Sequence, residues 1–235
     1  MKESEILGQY WKRKKTNIPF PDWPIKVWLF FKTYLVEDSN IRSWMEKRPF
    51  QNYVEFRNFI TPIVVSNGPR GTRGNVKFSA PDRSELITIC WFYYNLLLEP
   101  TLPFRVKESA VGGVGLFWKQ SGELILDEKL VTPTALSSLV GFLIEVPDDI
   151  FSELQLLNYP SLYGENFILI GPLSLINHQC KALFGFSSPL QKSDFVLFLN
   201  IPVVKLRLIS EAHEVVEGTE IFAQYSHEKP AWCKC

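Results

Sequence analysis

The apolar pattern of this chain changes its period at Pro103, and no other feature limits the possible folds as much. Before that point apolar residues recur three and four apart. Trp23, Val27, Phe30, Phe31 and Tyr34 make such a stripe, opened by Asp22 and Pro24. One face of a helix has this spacing. Residues 40–47 and 51–60 are further helical candidates, parted by Pro49. Residues 66–74 hold Gly68, Pro69, Gly71 and Gly74 and read as a loop. Asp82, with Glu85 three residues on, makes a capping box for a helix that runs to about Leu98 and stops before Pro100. This helix is apolar nearly all round, which predicts burial. After Pro103 the period falls to two. Residues 104–107, 123–127 and 203–208 alternate, residues 167–170 and 195–199 are short apolar runs, and Gly, Pro and Ser turns separate them. These are strand signals. A helical block followed by many short strands predicts the α+β class, with the β part carrying the chemistry. No internal repeat or low-complexity tract interrupts the pattern.

Composition narrows the function classes. Lys plus Arg and Asp plus Glu are both 25, so the net charge is zero. A whole-molecule attraction to DNA or to an acidic membrane is not indicated, although a local patch stays open. Hydrophobic residues make up 46% of the 235 residues, enough for a packed core. The longest uncharged apolar run, residues 86–98, is too short to span a bilayer. The start, Met1 to Glu5, lacks the apolar stretch of a signal peptide, and an intracellular protein is expected. Four cysteines do not make a disulfide framework. The cluster Lys12-Arg13-Lys14-Lys15 reads as a solvated face, or else as a nuclear localisation signal or phosphate contact.

Three short stretches hold candidate chemistry. Gly113-Val114-Gly115-Leu116-Phe117 suits a loop whose backbone approaches a ligand, because glycine has no Cβ. The plain alternative is a turn between strands. Leu175-Ile176-Asn177-His178-Gln179-Cys180 follows, and Glu220-Ile221-Phe222-Ala223-Gln224-Tyr225 comes about forty residues later. The chain ends Trp232-Cys233-Lys234-Cys235. Each stretch alone is weak. In this order and spacing they resemble the SET-domain protein lysine methyltransferases, which read Gly-x-Gly-Leu-Phe, Asn-His-Ser-Cys, Glu-Leu-x-x-x-Tyr and Cys-x-Cys. The resemblance covers about residues 105–235.

That resemblance implies a helical region over residues 1–100, a SET domain over 101–226 and a post-SET tail over 227–235. The SET fold is mainly β, with a threaded, knot-like carboxyl-terminal segment. It implies S-adenosylmethionine as the methyl donor, held by Gly113, Val114, Gly115, Asn177 and His178, with Trp232 placed over the adenine. It makes Tyr225 the catalytic tyrosine, which orders the lysine amine. A core tyrosine at a strand end is the plain alternative there. His178 is not cast as a general base; its ring fixes the loop. Cys180, Cys233 and Cys235 fall where the family places ligands of a structural zinc ion, and thiolates suit zinc. A fourth cysteine is missing, and His227 is near enough in sequence to replace it. Cys90, in an apolar helix, reads as core.

The chain departs from the family at several places. Ser174 stands where an Arg is common, Ala182-Leu183 where Pro-Asn is common, and Ala223-Gln224 where Phe-Asp precedes the tyrosine. Residues 127–129 offer no Tyr-x-Gly-Glu segment. Residues 171–178, with Gly171-Pro172 and no Arg, are similar to the histone H4 methyltransferases of the suppressor-of-variegation type. This implies a histone or nucleosome as partner, histone H4 as substrate, and the nucleus as location, with the cytoplasm also open. A SET-fold scaffold or reader without catalysis, and a methyltransferase for non-histone lysines, are the alternatives.

Overall fold

The computed structural model describes residues 23–67, 80–127, 132–145, 167–187, 202–209 and 214–225. The chain divides into two compact units, Met1–Pro100 and Thr101–Cys235. The class is α+β, with helices first and a curled, mainly-β sheet after them.

In the first unit, helix α1 (Trp23–Phe31) runs on into a wider π turn, Lys32–Val36. The buried Arg42 guanidinium donates to the Val36 carbonyl and so occupies an acceptor at the end of that turn. Helix α2 (Ser39–Lys47) begins one residue before the expected start. Asp38 caps it, accepting from the Asn40 and Ile41 amides at 3.0 Å each. Helix α3 (Tyr53–Asn67) differs from the expected 51–60 and passes through Pro62. A proline inside a helix costs about 3 kcal/mol. Here the apolar stripe Phe56, Ile60, Val64 stays buried across it, and burying a side chain of this size stabilises by about 1.5–3 kcal/mol. The packed stripe therefore outweighs the lost amide. Helix α4 (Ala80–Leu97) starts two residues before Asp82, which lies inside the first turn rather than at the cap. Pro81 is tolerated there because first-turn amides have no intrahelical partner. Burial of α4 agrees with its apolar composition: Leu86, Cys90, Tyr93, Tyr94 and Leu97 are buried. Burial pushes the Cys90 thiol well above its ordinary range, so it stays protonated and packs as a small apolar group. The Tyr93 ring meets Trp28 edge-on at 5.0 Å, a favoured aromatic geometry.

The second unit is built from short strands. Strands β1 (Phe104–Glu108) and β2 (Val114–Trp118) form an antiparallel hairpin, paired from Phe104↔Trp118 to Glu108↔Val114. Two-residue pieces follow: β3 (Gly122–Glu123), β4 (Leu126–Asp127) and β5 (Thr132–Pro133). Then come β6 (Val140–Glu145), β7 (Phe167–Ile170), β8 (Asn177–His178), β9 (Phe184–Phe186), β10 (Val203–Leu208), β11 (Glu214–Val215) and β12 (Glu220–Gln224). Among the described residues the main sheet has the order β1-β2-β12-β9-β10-β6-β7, with β8 also paired to β12. Strand β10 reads as alternating in sequence, yet Val203, Val204, Lys205 and Leu206 are all buried. It lies between β6 and β9, so the strand is central and the two-residue alternation no longer marks a wet face. Residues 68–79, 128–131 and 195–199, and the basic cluster at 12–15, lie outside the described residues.

Gly171 opens the 3-10 turn Pro172–Leu175 that leads into β8. Its φ is +83°, and a Cβ would stand 2.8 Å from Phe142 Cδ2. An L side chain there meets both backbone strain and crowding, each worth about 1–3 kcal/mol. Gly171→Ala is expected to lower stability by about 2 kcal/mol or more in urea denaturation, with the m-value unchanged.

Candidate functional site

Strand β12 gathers the three stretches singled out in the sequence. Along one edge it pairs antiparallel with β2, Glu220 opposite Phe117 and Ile221 opposite Leu116. Further along, β8 pairs with it in parallel, Asn177 beside Phe222 and His178 beside Ala223. Strand β9 runs parallel on the other edge, with Phe184 beside Ala223. Ladder pairing thus brings residues 114–118, 177–178 and 220–224 side by side.

The turn between β1 and β2 carries backbone that only glycine adopts readily. Gly112 and Gly113 have φ of +138° and +60°. Among the described residues nothing lies within 4 Å of where a Cβ would stand at either, so their backbone faces open space. The turn is tied by the Ser109 amide donating to the Gly113 carbonyl at 3.0 Å. Gly115 has a different reason to be glycine. A Cβ there would stand 2.1 Å from Glu220 Oε1 and 3.1 Å from Asn177 Nδ2.

Those two side chains form a polar cluster. Asn177 Nδ2 donates to Glu220 Oε1 at 2.7 Å and to the Val114 carbonyl at 3.3 Å. Ser109 Oγ donates to Glu220 Oε2 at 2.9 Å. A carboxylate and a carbonyl are both acceptors, so the amide nitrogen must face them. Asn177 Oδ1 points away from this pair and receives no hydrogen bond among the described residues. Ser109 and Glu220 were not among the sequence candidates. Glu220 opens the third motif, but no pattern linked it to Ser109, which is 111 residues away.

The second half of the site surrounds His178. Its Nδ1 accepts from the Tyr225 backbone amide at 3.3 Å. Nε2 faces Cys180 Sγ at 3.4 Å. The Tyr225 hydroxyl donates to the Ile176 carbonyl. The Tyr225 ring meets His178 edge-on at 5.1 Å and Phe186 at 5.6 Å. The phenol is therefore held at both its backbone and its hydroxyl. Gly113, Val114, Gly115, Asn177, His178 and Tyr225 belong to one region, and Cys180 adjoins it through His178. Trp232, Cys233, Cys235 and His227 lie outside the described residues. Among the described residues no three of His, Cys, Asp and Glu come together as metal ligands, so these residues alone do not make a zinc site.

Desolvation pushes the His178 pKa below its ordinary value, and a backbone hydrogen bond to Ala223 opposes part of that shift. The neutral ring is also the form that can accept from the Tyr225 amide.

No family model matches this chain, and no curated protein matches it. Among solved structures, a Plasmodium falciparum protein crystallised as a candidate histone methyltransferase aligns with 54% of this chain and 95% of its own length. The identity is 17% and the TM-score 0.33.

The depressed His178 pKa has a testable consequence. Below pH about 6.5 the unfolded chain takes up this proton before the folded one does. Stability contributed at His178 is present above that value and falls as pH drops through the lower folded pKa. In a carbon-detected NMR titration the His178 ring should have its midpoint below 6.5, and the Tyr225 amide should shift with it. A midpoint above 6.5 would contradict the assignment.

Proposed function

We propose that this chain is an S-adenosylmethionine-dependent protein lysine methyltransferase of the SET type, acting on a histone, with histone H4 the leading substrate. One observation carries the reading: Asn177-His178 and Tyr225, 47 residues apart, meet through the Tyr225 amide and the His178 ring beside the glycine turn. The motif order in the sequence requires that meeting. The reading assigns residues 1–100 as a helical region, 101–226 as the SET domain and 227–235 as its tail. It takes residues 217–225 as the threaded segment of that fold. It also assigns Trp232 to the adenine and Cys180, Cys233 and Cys235 to a structural zinc ion. The nucleus is the location it implies.

The site's features fit the amino-acid end of such a donor. The Asn177 Oδ1 is an acceptor with no hydrogen bond of its own among the described residues, suited to an ammonium group. The open backbone at Gly112 and Gly113 leaves room for close approach. The donor supplies an activated methyl group. In this reading a lysine nitrogen would take the methyl group as the donor's carbon–sulfur bond broke, and the product ammonium would give its extra proton to water. The lysine must arrive neutral. At pH 7 this costs roughly 4–5 kcal/mol for an unperturbed side chain. An apolar surrounding lowers that cost by disfavouring the charged form. Phe184 and Ala223 are buried here, and Phe186 lies against the Tyr225 ring. The Tyr225 hydroxyl, aimed by its hydrogen bond to the Ile176 carbonyl, is the group this reading assigns to order the amine.

Two variants separate the roles. Tyr225→Phe is expected to reduce methyl transfer to histones or nucleosomes by about tenfold or more, as general catalysis by a positioned group allows, with donor binding unchanged. Asn177→Ala is expected to weaken donor binding first, through a lost charge-assisted hydrogen bond worth about 1.5–3 kcal/mol. Calorimetry with S-adenosylmethionine and a radiolabel transfer assay measure the two effects. Full activity of Tyr225→Phe would overturn the tyrosine's role. Wild-type protein that binds no donor would leave the scaffold or reader alternative.

A further inference from the structure

We propose that Glu220 is a positioning residue of this site: its carboxylate, braced by Ser109, holds the Asn177 amide so that Oδ1 faces a ligand's ammonium group. The inference rests on the reading of the site as a donor-binding site for its ligand, but the contacts themselves do not depend on it. An asparagine side chain can turn its amide over at little cost when its neighbours accept and donate alike. Asn177 has no such freedom. Both groups beside its nitrogen, Glu220 Oε1 at 2.7 Å and the Val114 carbonyl at 3.3 Å, are acceptors. A turned amide would set Oδ1 against two oxygens. The orientation is thus selected by charge and by geometry together.

Glu220 is in turn fixed. Ser109 Oγ donates to its second oxygen at 2.9 Å and itself accepts from the Val111 amide at 3.2 Å. The chain of contacts runs from the glycine turn through Ser109 and Glu220 to Asn177. Gly115 leaves the space through which carboxylate and amide meet, since a Cβ there would stand 2.1 Å from Glu220 Oε1. The negative charge sits one amide group behind the ligand acceptor. It polarises that amide and strengthens Oδ1 as an acceptor. Such an arrangement favours ligands that carry an ammonium group over those that lack one.

The experiment compares S-adenosylhomocysteine with its deamino analogue by calorimetry, on the full chain and its variants. Wild-type protein should prefer the amine by about tenfold or more, the range of a charge-assisted hydrogen bond. Glu220→Ala should lose most of that preference while binding the deamino compound about as well as before. Glu220→Gln should keep the greater part, because its Oε1 can still accept from Asn177. An unchanged preference in Glu220→Ala overturns the proposal, and so does equal weakening of both compounds, which a purely structural role would give. A second readout needs no ligand: hydrogen exchange of the Asn177 side-chain amide, assigned by its loss in Asn177→Ser. Exchange should quicken in Glu220→Ala and stay slow in Glu220→Gln; unaltered exchange overturns the proposal. If wild-type protein binds neither compound, the donor-binding reading fails and the exchange measurement alone decides the positioning role. Should Glu220→Ala not fold, Ser109→Ala takes its place, with partial loss of protection as support and no change as refutation.

Discussion

The placement of β12 between three partners is the constraint on which the second unit depends. Five residues, 220–224, pair with β2, β8 and β9, which come from distant parts of the chain. Ile221 and Ala223 are buried within this ladder, while Glu220 and Gln224 are half-buried. A one-residue slip would turn Ile221 and Ala223 outward and put Glu220 into the core. The register is therefore held by burial on one face and by the Glu220 hydrogen bonds on the other. The same register decides which residues reach the site.

Polar satisfaction and site geometry come from one set of bonds. Glu220 uses both carboxylate oxygens within the cluster, and each has a donor from a different segment. Removing one partner from such a set leaves a half-buried charge short of donors, which costs more than the bond itself is worth. His178 behaves similarly, since its Nδ1 is the acceptor for the amide that ends β12. Stability and ligand geometry are coupled at these residues, and changes there act on both.

Much of the fold could be read from periodicity. Trp23 to Val36, the helix ending near Leu97 and the strands around residues 104–107 and 167–170 all follow from local apolar spacing. Where local rules missed, core packing or a neighbouring residue had overruled them. Pro62 did not end its helix because Phe56, Ile60 and Val64 stay packed across it. Asp82 did not cap its helix because Pro81 is acceptable one turn-position earlier. Lys205 is buried in a central strand whose other charged residue, Arg207, is exposed, a difference that alternation cannot foretell.

By itself the sequence determined the helical block before Pro103, the strand-rich part after it, the α+β class and the identity of Gly113, Asn177, His178 and Tyr225 as residues of interest. These rest on local information: spacing, glycine content and short motifs. Only the tertiary structure decided that Gly115 is glycine to admit Glu220, that Ser109 belongs to the site, and that the Tyr225 amide meets the His178 ring. Each of these depends on atoms more than 40 residues apart being brought within hydrogen-bond distance. Pairings of that separation are fixed by strand register, and register is a property of the assembled sheet.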